Sequence, residues 1–314
     1  VDPSSRQHGT AHILDLCEAQ WVCTLPAHHV TSGCWSTRGK QLVLGLQSGE
    51  LLQLTPEGEV KAMLPPLPES ERSLYVEDVQ WLENHAFLVT YNTCPPTAEH
   101  NQEPVHEYEV FMIVRDPKAN TMTYSAFPLD VAPPFGDTSR WPCRYACTLR
   151  DWMPMKHIVF MACSASTDVG VIGFRHAWEA LELEDTSRPV LPFSSQDETS
   201  DTGPVALALD LSSTDSVPDP NAAAKGEDPS ATLPAVPILY VYTNDGVLLA
   251  YHVIFTEAEA PYPGMVSIES NPAFFPSALP APTIPQPSST PAPTFGSTST
   301  PAPTFGSTTA FGGT

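Results

Sequence analysis

The chain has 314 residues, and its 36 Asp and Glu outweigh its 14 Lys and Arg, which gives a formal net charge of −22. This balance argues against direct nucleic-acid binding and against docking on anionic lipid, because both need clustered cations. It suits a basic protein partner. The apolar runs fall short of the roughly 20 residues that a membrane helix needs, so we expect no membrane insertion.

The first clearly repeated unit begins at Val30. Its apolar runs and turn signals predict four short strands at 30–36, 41–47, 50–55 and 59–64. The same pattern returns 46 residues later, where Val76 and Trp81 correspond to Val30 and Trp35. Trp35, Trp81 and Trp152 occupy comparable places in successive units, which predicts core packing for all three.

Two more units follow in the second half of the chain. The third is indicated by runs at 144–152, 157–165 and 168–174, and the fourth by runs at 205–211, 238–244 and 246–255. Four short strands at a period of about 40 to 45 residues are the signature of β-propeller blades. A single β-sandwich is the alternative, but it does not explain the repeat.

The unit count predicts an incomplete ring. About four repeat units are too few for a well-closed ring of blades, and the chain begins at Val1 rather than Met. We therefore expect the C-terminal part of a larger propeller, with blades over 1–262. Long insertions are predicted at 93–106, 130–143, 184–204 and 212–236, and the loops of a propeller are its usual binding sites.

The stretch 176–230 is strongly acidic. It holds twelve Asp or Glu against Arg188 and Lys225. This acidic stretch has two interpretations. Its residues form solvated loops that keep a β protein soluble, or they form an electrostatic patch that binds a basic partner. Within it, an apolar strip from Arg188 to Phe193 is a candidate anchor inside an acidic rim.

The last part of the chain differs in composition. Residues 271–314 contain no charge, and Pro, Ser, Thr, Ala and Gly dominate, which predicts disorder. We divide it into a Pro/Ser/Ala-rich linker at 263–290 and Phe-Gly (FG) repeats at 291–314. PAPTFGST occurs twice, and the FG dipeptides are Phe295-Gly296, Phe305-Gly306 and Phe311-Gly312. Single Phe side chains on a flexible chain make weak contacts that add up to avidity.

Catalytic and metal-binding patterns are missing from the sequence. The seven cysteines are irregularly spaced and indicate neither a disulfide framework nor a zinc site. No phosphate-cradling loop, dinucleotide glycine pattern, HExxH or nucleophile elbow occurs. We expect no cofactor, no metal site, no catalytic residue and no enzymatic activity.

A propeller followed by FG repeats resembles the CAN-type FG-nucleoporins of the nuclear pore cytoplasmic filaments, in a fungal form. The segments that carry the resemblance are 30–56, 76–91, 162–173, 178–193 and 234–254. It implies a seven-bladed propeller of which this chain holds about the last four blades. It also implies a non-enzymatic scaffold in messenger RNA export, with other nucleoporins and nuclear transport receptors as partners.

The resemblance further implies a docking site for a DEAD-box mRNA-export helicase, in competition with RNA. The family's docking element is the connector into the last blade, and residues 184–193 match its E-D-x-S-R-x-x-L-P plus hydrophobe pattern. Arg188 and Phe193 are carried over as contacts. Glu184, Asp185, Asp197 and Glu198 are added as an acidic rim on electrostatic grounds. The alternative is an unrelated propeller adaptor or enzyme with a low-complexity tail.

Overall fold

The computed structural model describes residues 9–15, 18–68, 74–93, 107–119, 121–129, 132–133, 143–226, 228 and 230–266. The predicted FG repeats at 291–314 lie outside these residues, as do most of the linker and of the insertions at 93–106 and 130–143. The described part is built almost entirely from β-strands, which confirms the all-β prediction.

Nineteen strands are present in the described residues. In chain order they are β1 His12–Asp15, β2 Gln20–Thr24, β3 Val30–Trp35, β4 Leu42–Leu46, β5 Leu51–Leu54, β6 Val60–Leu64, β7 Tyr75–Glu83, β8 Ala86–Asn92, β9 Tyr108–Asp116, β10 Thr121–Ala126, β11 Arg144–Trp152, β12 Met155–Cys163, β13 Gly170–Phe174, β14 Trp178–Ala180, β15 Pro204–Asp210, β16 Val217–Pro218, β17 Thr232–Leu233, β18 Ile238–Thr243 and β19 Leu248–His252. The helical elements among the described residues are a 3₁₀ turn at Asp185–Ser187 and a short helix, α1, at Ala222–Lys225.

The strands form successive antiparallel sheets. Strands β3 to β6, β7 to β10 and β11 to β14 make three four-stranded sheets, which we name the first, second and third blades. A three-stranded sheet of β15, β18 and β19 is the fourth blade, and the hairpin β1–β2 precedes the first. This four-blade propeller arrangement confirms the prediction from the repeat, and it does not fit a single sandwich of two sheets.

The blades pack face to face through layers of apolar side chains. Successive residues of a central strand point to opposite faces, so Phe87 of β8 enters the core shared with the first blade and Leu88 enters the core shared with the third. In β12, Val159 faces the second blade and Phe160 the fourth. Because both faces are buried, the central strands are continuous apolar runs.

The tryptophan prediction holds for two of the three residues. Trp81 and Trp152 are 3% and 4% exposed, as predicted, but Trp35 is 47% exposed. Cys34 packs towards the second blade, so the alternation of side chains turns Trp35 towards the leading hairpin. That hairpin has only two strands in the described part, and it leaves the indole ring of Trp35 partly uncovered.

Candidate docking surface

The predicted docking element is the segment between β14 and β15, which joins the third blade to the fourth. We call residues 184–203 the connector. Leu191 anchors it, because its side chain is 7% exposed and packs with Leu239 and Val241 in the core between the two blades. The Leu191 amide donates to the carbonyl of Thr167 at 2.9 Å. The connector is therefore fixed to both blades.

Two apolar side chains project from this fixed backbone. Val190 is 49% exposed and Phe193 is 62% exposed, although Leu191 between them is buried. The carbonyl of Val190 accepts a hydrogen bond from Tyr251 Oη at 3.2 Å. Phe193 forms an isolated backbone bridge with Asp201. The structure thus presents an exposed apolar pair at the predicted strip, and it adds Val190 to the predicted Phe193.

Arg188 is held by carboxylates of the chain itself. Its guanidinium donates to Asp168, and a second contact to Asp185 Oδ1 measures 3.7 Å. The hydrogen bond with Asp168 raises the pKa of Arg188. The side chain remains 45% exposed, so its outer side faces solvent while its charge is largely balanced locally. The predicted Asp185 does lie beside Arg188, and Asp168 is an additional member of this group.

The second half of the connector forms a tight acidic turn. The carboxylate of Asp197 accepts hydrogen bonds from the Ser200 hydroxyl and from the amides of Ser200 and Thr199. The Ser200 side chain contributes most, and together these bonds lower the pKa of Asp197 to about 2. Glu198 follows with a φ of +59°. Both carboxylates are exposed, and Asp197 is ionised at neutral pH.

This turn is tied to a hairpin of the fourth blade. The amide and hydroxyl of Ser195 donate to Asp245 Oδ2 at 3.1 and 3.3 Å. Asp245 belongs to the turn Asn244-Asp245-Gly246, in which Gly246 has a φ of +89°. Hydrogen bonds from the Thr243 side chain and then the Ser195 amide lower the pKa of Asp245. A further carboxylate therefore lies against the connector.

The predicted site residues fall into two groups along one connector. Asp185 and Arg188 contact each other near Asp168, whereas Asp197 and Glu198 lie in the turn that follows Phe193. Glu184 directly precedes the 3₁₀ turn and is exposed, and its carbonyl accepts from the Ser187 amide at 2.7 Å. The sequence did not indicate Asp168 or Asp245, because each reaches the connector only through tertiary folding.

Within the described ranges, no group of three or more His, Cys, Asp or Glu is placed to hold a metal ion. A buried polar cluster does lie between the second and third blades, where Arg144 Nε is 3.8 Å from Glu77 Oε1 and Asn92 donates to Glu77 at 2.8 Å. This cluster joins the two blades.

A helix long and apolar enough to cross a membrane is not found among the described residues.

Two nucleoporins are similar in sequence to this chain over the propeller region. The chain is 34% identical over 237 residues to nucleoporin nup146 of Schizosaccharomyces pombe, a match that covers 74% of this chain and 17% of the relative. It is 30% identical over 254 residues to human nuclear pore complex protein Nup214, covering 78% of this chain and 11% of that protein. The chain therefore spans less than a fifth of these relatives.

A solved structure gives the same fold. The crystal structure of the N-terminal domain of Nup159 superposes with a TM-score of 0.53 at 21% identity, covering 77% of this chain and 59% of that chain. A complex of Saccharomyces cerevisiae nup159 with dbp5, gle1, IP6 and ADP gives the same TM-score at 20% identity, with the same coverage. The model of the NUP159/214 β-propeller family matches residues 6–248. This chain belongs to the NUP159/214 β-propeller family.

Proposed function

We propose that this chain is a non-enzymatic scaffold of the nuclear pore that docks a DEAD-box mRNA-export helicase through its connector. The observation that carries the proposal is the exposed pair Val190 and Phe193 on a backbone fixed by the buried Leu191. Exposed apolar anchors on a rigid backbone lose little conformational entropy on binding. The structure in which nup159 is bound to dbp5 supports a protein partner for a related propeller.

The charge around the connector suits the RNA-binding face of a helicase. Such a face is basic, and the connector and its neighbours offer Asp168, Asp185, Asp197 and Asp245 to it. Complementary potentials speed encounter and exclude wrong partners. If the acidic connector occupies the helicase surface that binds RNA, it competes with RNA for that surface. We therefore propose that the helicase cannot bind this chain and RNA at the same time.

Apolar side chains are exposed on the outer faces of the first and last described sheets, and this exposure supports a propeller with more blades. Trp21 of the leading hairpin is 69% exposed, and Leu248 and Tyr242 of the fourth blade are 60% and 44% exposed. Blades of a propeller bury such side chains against their neighbours. The chain spans 59% of the Nup159 N-terminal domain, close to four sevenths. We propose that the complete propeller has seven blades and that these residues are covered there.

The FG repeats supply the second half of the proposed function. Residues 291–314 repeat an uncharged sequence with Phe295, Phe305 and Phe311, and we propose that these side chains bind nuclear transport receptors. A disordered chain with spaced aromatic residues binds weakly at each site and gains avidity from their number. The names of the relatives support a site of action at the nuclear pore, and we propose that this site is the cytoplasmic side of the pore, in mRNA export.

A competition experiment tests the docking proposal. The complete propeller is immobilised, and purified helicase is titrated over it with increasing concentrations of an oligo-RNA. We expect RNA to displace the helicase and the propeller alone to bind no RNA, because its charge repels phosphate. Formation of a stable ternary complex of propeller, helicase and RNA would show that the docking face is not the RNA-binding face.

A further inference from the structure

A groove lies between the outer strands of the first and second blades, on different blades from the connector. Its volume is about 590 Å³, and it is lined by Met63–Pro68 on one side and by Arg115, Met122 and Tyr124 on the other. The Tyr124 hydroxyl donates to the carbonyl of Pro65 at 3.3 Å, which ties the two sides together. The volume is in the range of ligand sites in proteins, and most of the lining is apolar.

Arg115 gives this groove a charge. Its Nη1 donates to Gln53 Oε1 at 3.2 Å, and Gln53 is 5% exposed. None of the described residues that line the groove carries a carboxylate, and Arg115 forms no ion pair within the described part of the chain. By contrast, Lys156 and Arg188 each contact a carboxylate of the chain. Arg150 also forms no ion pair in the described chain, but it donates to the backbone carbonyls of Thr148 and Trp81. Arg115 differs because its remaining donors face the groove.

The wall of the groove is also an open sheet edge. Strand β6 is the outermost strand of the first blade, and no described strand pairs with its outer side. Leu67, which follows this strand, is partly buried and lines the groove. An extended peptide gains backbone hydrogen bonds at such an edge and specificity from the side-chain pockets beside it.

We propose that this groove binds an extended segment of a partner protein in which one carboxylate is flanked by apolar side chains. The carboxylate pairs with the free donors of Arg115, since guanidinium and carboxylate form strong bidentate hydrogen bonds. The apolar side chains pack on Leu67 and Tyr124. The chain's own residues 271–314 carry no charged side chain, so the FG tail does not supply this carboxylate.

Selection from a displayed library of random twelve-residue peptides on the full chain tests the proposal. We expect an enriched sequence with one Asp or Glu at a fixed place among apolar residues. A synthetic peptide of that sequence, labelled with a fluorophore, is then titrated with the protein and with its variants. Arg115→Gln should weaken binding about tenfold, the effect of losing one charge-assisted contact. Replacing the peptide's carboxylate by its amide should cost the same.

Matched controls separate the groove from general charge and apolar effects. Lys118→Gln removes the same charge from the exposed turn between β9 and β10, and we expect less than a twofold change. Leu67→Ser should weaken the peptide severalfold, because Leu67 lines the groove. Val60→Ser should not, because Val60 is 52% exposed on β6 but does not line the groove. Thermal unfolding checks that each variant is folded.

The outcomes that overturn the proposal are distinct. They are a library without a carboxylate-containing consensus, unchanged binding by the Arg115→Gln protein, or equal losses for Arg115→Gln and Lys118→Gln. None of them bears on helicase docking, since the connector lies on the third and fourth blades.

Discussion

At the scale of single residues, local sequence indicated which connector residues are charged or exposed, but not their contacts. Phe193 is exposed and Arg188 lies beside Asp185, as an anchor within an acidic rim requires. The partner Asp168 was not predictable, because it lies twenty residues from Arg188 and reaches it only when the third blade has folded. The roles of Val190 and Leu191 depend on which face of the extended connector packs inward, and a short apolar strip does not reveal that.

Burial at one carboxyl group predicts a pH-dependent stability. Asp78 on β7 has its pKa raised to about 6, chiefly by burial, although Gln80 donates to it. Because the folded pKa exceeds the ordinary value of 3.8, the folded state holds the proton more tightly, and stability falls as pH rises from about 4 to 6.

Asp78→Asn should therefore raise the unfolding temperature at pH 7 and change it little at pH 4. The expected gain is about 1 to 2 kcal/mol, which corresponds to roughly 2 to 8 °C for a domain of this size. Differential scanning calorimetry of both proteins at the two pH values measures it. Equal shifts at pH 4 and pH 7 would mean that the carboxylate's charge is not the cause.

At the scale of elements, the repeat predicted strands well where both faces are buried. The predicted run 144–152 coincides with β11, and the four strands predicted over 30–64 match β3 to β6 within a residue or so at each end. The insertion at 212–236 was predicted as a loop, and it contains the two-residue pair β16–β17 and helix α1. Such short elements carry no periodicity, so only tertiary contacts define them.

The connector combines a structural anchor with exposed contacts, and two substitutions should separate these roles. Leu191→Ala removes a buried side chain between two blades and should lower the free energy of unfolding by about 2 to 3 kcal/mol. Phe193→Ala should leave stability unchanged, because the ring is 62% exposed. Urea denaturation measures both. A destabilised Phe193→Ala protein would place the ring in the core rather than on the docking surface.

At the scale of the whole molecule, the repeat predicted the arrangement of the described blades, whereas the seven-bladed ring stays a proposal. Trp35 illustrates the limit, since its burial depends on the sheet before it. Composition alone defines the FG tail, which lies outside the described residues. Net charge suggested a basic partner, which stays a prediction, and it did not indicate which carboxylates lie at the connector.

The tail should act independently of the propeller. Replacing Phe295, Phe305 and Phe311 by Ser should abolish capture of transport receptors by residues 271–314, because these aromatic side chains supply its contacts. Thermal unfolding of the full chain should not change. A shift of several degrees would show that the tail contributes to the fold.

Long-range charge should govern how fast the helicase binds. Reversing Glu184, Asp185, Asp197 and Glu198 to Lys should mainly slow association and flatten its dependence on salt, because exposed charges steer encounter and are screened within about 8 Å at physiological salt. Association rates at two salt concentrations measure this. If the variant associates as fast as the parent at low salt, these carboxylates do not steer the helicase.

The most direct test of the docking account is the dissociation rate of the helicase from a complete propeller carrying Phe193→Asp. Surface plasmon resonance should show dissociation at least tenfold faster than from the parent, since an anchor residue of an interface is worth about 2 kcal/mol or more. Circular dichroism confirms that the variant is folded. An unchanged dissociation rate from the folded variant would contradict the account, because it would place the docking site outside the connector.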